Sequence, residues 1–252
     1  MDKNTVYKVQ KYLKDNGIAD IETGKSKMTL RAEGKCFTLN EHVEGMILSL
    51  LSPQTVWADV ERNLDRIKKL FFDYVPAEIV KYDAEYYTQR LGEMRLRSRF
   101  TARQMTAVNH NIQVLELIDK DWGSVDAFVA MRPIAEVVKS LSDYGSRYKL
   151  NQMAVPLVCE YLRNVGVDTA KPDEHMRRML GSERLGVSTK KNASISEVLT
   201  EINRLSKETG MWAADIDYLL WSFCATDKGE ICTKSNPACH KCVLRDECKH
   251  FF

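Results

Sequence analysis

Four cysteines, Cys232, Cys239, Cys242 and Cys248, fall within the short stretch CTKSNPACHKCVLRDEC, spaced C-x6-C-x2-C-x5-C. Thiolates this close in sequence can all reach one centre, and soft sulfur ligands select zinc, copper(I) or iron–sulfur. Structural zinc sites usually pair two C-x2-C knuckles across a longer gap. This stretch has one such knuckle, flanked by a longer and a medium loop, with every ligand in one segment. A cuboidal cluster suits that wrap, because each iron takes one thiolate. The residues alone leave three readings open: an iron–sulfur cluster, a zinc ion, or disulfides and unligated thiols. Disulfides need an oxidising compartment, and the opening MDKNTVYKVQKYLKD has no apolar core of the kind a secretion signal needs. Cys159 and Cys224 lie in apolar segments and are expected to be buried small hydrophobes. Cys36 has no evident role.

A carboxylate and several basic runs carry the remaining chemistry. In KPDEHMRR, residues 171–178, Pro172 precedes an expected helix start and places Asp173 at the helix N-terminus. Free backbone N–H groups there favour an ionised carboxylate. Taken alone, Asp173 reads as a helix cap. Arginines cluster at 95, 97, 99 and 103, and at Arg177 and Arg178; Lys190 and Lys191 are adjacent. Lys234, Lys241, Arg245 and Lys249 decorate the cysteine segment. The ordinary reading of such runs is a solvated surface, but a rigid metal-bound loop would hold basic side chains in place for phosphates. The net charge is only +2, so a nucleic-acid face must arise from local clustering. With 44% hydrophobic and 29% charged residues the composition is that of a globular protein, and 252 residues suffice for two lobes with proper cores. No apolar run reaches the length of a membrane span. The expectation is an intracellular monomer that does not engage a membrane.

The elements that must position these groups read as helices. Thr38 and Glu41 form an expected capping box ahead of a helix over 41–51. Val56, Val60, Leu64, Ile67 and Leu70 predict a helix over 56–72, and Met105, Val108, Ile112 and Leu115 another over 101–118. Further helices fit 133–142, 154–164, 173–181, 195–206 and 212–223, with stops at Gly123, Gly166 and Gly181. A short β-hairpin is expected around Lys27–Phe37, near Gly34. Gly186–Ser194 is the most polar internal loop and is expected to be a flexible insertion.

The spacing C-x6-C-x2-C-x5-C resembles the [4Fe–4S] loop of endonuclease III-like DNA glycosylases, the helix-hairpin-helix base-excision family. The resemblance extends over about residues 37–252. LSLLSPQTVWADVERNLDRI, residues 48–67, is similar to the family's early helix pair, in which a glutamine faces DNA and helps fill the gap left by a flipped base; by position this is Gln54. Segment 93–117 looks like a later helix pair, and WAADIDYLLWSF, residues 212–223, like the helix that precedes the cluster. KPDEHMRR resembles the V-D-T-H-x-x-R segment that carries the catalytic aspartate, so Asp173 takes that role by resemblance. His175 and Arg178 match the later positions and are read as structural or phosphate-facing.

The resemblance implies an all-α fold of two helical lobes with a C-terminal iron–sulfur loop. The lobes are expected as a 1–40 segment packing with the cluster lobe, a helical lobe over 41–165, and the Asp173 segment with the cluster over 166–252. The implied cofactor is a [4Fe–4S] cluster held by Cys232, Cys239, Cys242 and Cys248. The implied partner is double-stranded DNA with a damaged or mispaired base. One departure matters. The family's hairpin tip, L-P-G-h-G-x-K-T-A, is replaced by DYGSRYKLNQMAVPLVCEYL, residues 143–162, which retains only Gly145. Asn151 and Gln152 are then the candidates for gripping phosphate, beside Lys241 and Arg245 on the cysteine loop. No lysine stands near Val155, where bifunctional members carry their Schiff-base amine; Lys149 is the nearest. A monofunctional N-glycosylase is the expected activity. A bifunctional glycosylase/AP lyase, a catalytically weak damage-sensing protein and a zinc module are the rivals. Tyr144, Tyr148 and Trp57 are candidates for lining a base pocket.

Overall fold

The structure, a computed structural model, describes residues 1–19 and 26–251. Among the described residues it is helical, with no strand. In chain order the α-helices are α1 (Lys3–Asp15), α2 (Lys27–Ala32), α3 (Leu39–Leu51), α4 (Trp57–Arg62), α5 (Leu64–Leu70), α6 (Pro76–Ile79) and α7 (Ala84–Glu93). They continue with α8 (Thr101–Trp122), α9 (Val125–Ala130), α10 (Ile134–Ser142), α11 (Val155–Asn164), α12 (Glu174–Met179), α13 (Ile195–Thr209) and α14 (Ala213–Cys224). No described helix is long and apolar enough to cross a membrane. The chain forms two compact units, a central one of residues 27–167 and a terminal one of residues 1–26 with 168–252. Residues 27–40, expected to group with the N-terminal segment, thus belong with α3.

In the central unit α3 packs between α8 and α11. Its start is the capping box foreseen from Thr38 and Glu41: Thr38 Oγ1 accepts from the Glu41 amide, and the Glu41 carboxylate accepts from the Thr38 amide. Val43, Met46, Ile47 and Leu50 of α3, Val108, Ile112 and Leu115 of α8 and Val158 and Leu162 of α11 are fully buried. Gly45 lets α3 approach α11, since a Cβ there would lie 3.1 Å from that of Asn164. Inside this core a polar network ties four helices. His42, fully buried, meets the Tyr161 hydroxyl through Nδ1 at 2.7 Å and Asp126 Oδ1 through Nε2 at 3.2 Å. An ionised carboxylate only accepts, so Nε2 carries the proton and Nδ1 accepts from Tyr161. Arg31 bonds the same carboxylate and, through Nε at 2.9 Å, the Val165 carbonyl. Burial pushes Asp126 up, but the His42 hydrogen bond and Arg31 bring it down to about 2; burial pushes His42 down.

Two local expectations fail in this unit. The stretch Lys27–Phe37 is not a hairpin: residues 27–32 form α2, closed by a turn in which the amides of Gly34 and Lys35 donate to the carbonyls of Arg31 and Leu30. Arg31 ties this helix to Asp126 and to the Val165 carbonyl, far along the chain. The helix expected over 56–72 breaks at Asn63 and stops at Leu70, followed by Phe72, Asp73 and Tyr74 in left-handed backbone, φ 50, 52 and 61°. Stacking of Phe71 on Tyr87 and Phe72 on Tyr82 braces that strained turn.

The terminal unit is built on α14, which packs on α1, α12 and α13. Val6, Val9 and Leu13 of α1, Val198, Ile202 and Leu205 of α13 and Ile216, Leu219, Leu220 and Phe223 of α14 are fully buried. The connection from α12 to α13 is pinned rather than loose. Ser182 N donates to Lys190 O at 2.8 Å, Ala193 N to Arg177 O at 2.8 Å, and Ala193 is fully buried. Gly181 is required at the crossing, because a Cβ would lie 1.9 Å from the Lys191 carbonyl oxygen. The flexible insertion expected over 186–194 is therefore a fixed strap.

Candidate active site and cysteine centre

Asp173 is the N-cap of α12, with extended backbone and a half-buried side chain. Its Oδ1 accepts from the amides of His175 at 2.8 Å and Met176 at 3.1 Å. Both of these bonds end on Oδ1. The approach to this position is fixed from α14: Asp168 Oδ1 accepts from the Ala214 amide at 3.0 Å, and Asp217 Oδ1 from the Lys171 amide at 3.2 Å. Pro172 is buried.

One turn along α12, Arg178 joins this helix to the cysteine segment. Its Nη2 donates to the Cys232 carbonyl at 2.7 Å and meets His175 Nδ1 at 3.2 Å. A guanidinium only donates, so His175 Nδ1 accepts and the ring is neutral; burial also lowers its pKa.

The four cysteines are half-buried thiols within electrostatic reach of one another. Three anchors hold their loop. Glu247 accepts from Thr5 Oγ1 at 2.7 Å and pairs with Lys8, both on α1. Lys249 N donates to Arg184 O at 2.8 Å, and Ala238 N to Ile231 O at 2.9 Å. Leu244 and Ile231 are buried beneath the loop. The Cys224 hydrogen bond, with Arg184 and Arg178 nearby, brings Cys232 down to about 6, whereas burial pushes Cys242 up to about 11. Cys224 itself is buried and Cys159 fully so, as their apolar surroundings foretold. Arg178 Nε and Arg184 Nε are buried N–H groups with no protein partner. Four soft sulfurs together with two unmet cationic donors are a donor set suited to an anionic sulfur-ligated group. Sequence reasoning missed Arg184. A single arginine in a polar loop carries no periodic or spacing signal.

The other candidates lie elsewhere in the sequence. Gln54 is exposed in the loop between α3 and α4, in left-handed backbone at φ 58°. Asn151 and Gln152 are exposed in the loop before α11. That loop is held by buried Asn111, whose side chain accepts from Asn151 N at 2.6 Å and donates to Asn151 O at 3.1 Å. Gln152 is left-handed at φ 60°. Lys149 turns back on the same loop, donating to the carbonyls of Leu150 and, at 2.8 Å, Met153; burial lowers its pKa. Gln54, Asn151 and Gln152 belong to the central unit, whereas Asp173, Lys241, Arg245 and the cysteines belong to the terminal one. Lys241 and Arg245 are exposed on the cysteine loop. Tyr144 is 94% exposed, while Tyr148 packs edge-on against Phe128 and donates to Asp121. Trp57 is half-buried at the start of α4. No known protein-family model and no curated protein matches the chain.

Proposed function

We propose that this protein is a monofunctional DNA N-glycosylase of the helix-hairpin-helix, iron–sulfur type, which excises a damaged or mispaired base from double-stranded DNA. The observation that carries the reading is the pairing, in one unit, of a helix-cap carboxylate with a four-cysteine loop tied to the same short helix through Arg178. Cys232, Cys239, Cys242 and Cys248 would hold a [4Fe–4S] cluster, which when bound supplies a covalent anchor for the loop and a one-electron redox centre.

The chemistry falls to Asp173. Cleavage of an N-glycosidic bond builds positive charge on the sugar, and a fixed carboxylate stabilises that charge. With Oδ1 held by the two amides, Oδ2 is the atom that faces the sugar or takes a proton from the attacking water. The base must first leave the stack. Gln54, exposed and held in a strained left-handed conformation, fits the role of filling the gap. Asn151 and Gln152 would meet phosphate from a loop fixed by Asn111, and Lys241 and Arg245 from the cysteine loop. Lys149 is engaged with two carbonyls of its own loop, which favours hydrolysis over an enamine route.

The test is a panel of duplex oligonucleotides, each carrying one lesion or mispair, incubated with the full chain and then treated with alkali. The expected result is strand cleavage after alkali for at least one lesion, abolished by Asp173→Asn. Binding to lesion DNA without base release from any substrate would favour the damage-sensor reading.

A further inference from the structure

Arg184 is an arginine with 7% of its surface exposed, in a loop that the proposed chemistry does not use. One contact places it at the end of the cysteine loop: its carbonyl accepts from the Lys249 amide, one residue beyond Cys248, at 2.8 Å. Its charge lies within electrostatic reach of the Cys232 and Cys248 thiols. Its Nη1 also reaches the Glu183 carbonyl at 3.3 Å. Its Nε remains buried without a partner, as does Arg178 Nε nearby. A buried guanidinium with an unmet N–H is costly, and such a group persists where an absent acceptor completes it. No carboxylate is paired with Arg184 among the described residues.

Resting on the cluster assignment made above, we infer that Arg184 is a positioning residue for the iron–sulfur group, donating a charge-assisted hydrogen bond to its sulfur and stabilising its more reduced, more negative state. Hydrogen bonds to sulfur and local charge are the levers by which a protein sets the potential of such a centre. Burial makes the Arg184 charge far less screened than that of Lys234, whose side chain is 78% exposed on the same loop.

The test uses the full chain with its metal centre loaded, and reads reduction potential by voltammetry rather than activity. Arg184→Gln is expected to lower the potential by at least a tenfold change in the reduction equilibrium, about 59 mV for one electron. Arg184→Lys keeps the charge but loses the planar fork, and should recover part of the shift. Lys234→Gln removes a surface charge and should leave the potential nearly unchanged. Should Arg184→Gln fail to retain iron, resonance Raman in D2O decides: iron–sulfur modes should shift on deuteration in the wild type, and less in Arg184→Lys. Equal potentials for Arg184→Gln and Lys234→Gln, or equal deuterium shifts in wild type and Arg184→Lys, would overturn the inference while leaving the glycosylase reading intact. Iron-free wild-type protein would overturn both the cluster assignment and this inference, and Asp173-dependent base release could still stand.

Discussion

Arg178 Nη2 donates to the backbone carbonyl of Cys232 at 2.7 Å, across 54 residues of sequence. It thereby ties the helix capped by Asp173 to the first cysteine of the C-terminal cysteine segment. Asp173 and Arg178 lie on the same short element, the first as its N-cap and the second in its last turn.

Arg178→Met should therefore cost about 1–3 kcal/mol of stability, the range for a hydrogen bond from a charged donor to a buried acceptor. It should also slow base release more than it weakens DNA binding. Thermal unfolding and single-turnover kinetics check this; unchanged rates would show that the tether does not position Asp173.

Cap and catalyst can be separated at residue 173. Asn caps a helix as well as Asp, so Asp173→Asn should leave the melting temperature close to wild type while abolishing base release. Asp173→Ala should lose both, with about 1 kcal/mol of stability gone. Full activity in Asp173→Asn would reduce this residue to a cap.

The purified protein should be yellow-brown with about four irons per chain. Cys239→Ala should remove the colour and loosen the terminal unit, read by metal analysis and by proteolysis. A colourless protein holding one zinc would instead support the zinc rival.

Borohydride should trap little covalent DNA complex, because the Lys149 amine is bonded to the carbonyls of Leu150 and Met153. Wild-type enzyme should leave an intact abasic strand. Strong trapping that disappears in Lys149→Ala would reverse the monofunctional assignment.

Stability should fall on acidification. His42 is held neutral in the fold by burial, below its ordinary value of 6.5. The unfolded chain takes up a proton just below 6.5 while the folded chain does not, so stability is complete above that pH and declines as the pH drops towards the lowered value. Asp126, drawn to about 2, adds a further loss below its ordinary 3.8. His42→Gln should be less stable at neutral pH and should lose less on the first step down; His175, also lowered by burial, retains part of that step. Melting temperature against pH for the two proteins decides it.

The sequence by itself determined the helical character, the capping box at Thr38 and Glu41, and the placement of Asp173 at a helix start. Each of these is written within a few residues, in periodicity, cap chemistry or spacing. Gly123 and Gly166 likewise take the left-handed backbone that ends their helices. Only the tertiary structure decided what lies across long separations. It made residues 27–32 a helix, because Arg31 reaches Asp126 and Val165. It fastened 186–194 into a strap, because Gly181 admits the Lys191 backbone where any side chain would clash. It turned Lys149 onto its own loop, and it joined Arg184, unmarked in the sequence, to the Lys249 amide at the end of the cysteine segment. Local conformation depends on near neighbours that the sequence states directly. The partner of a buried charge depends on which distant backbone the packing delivers to it.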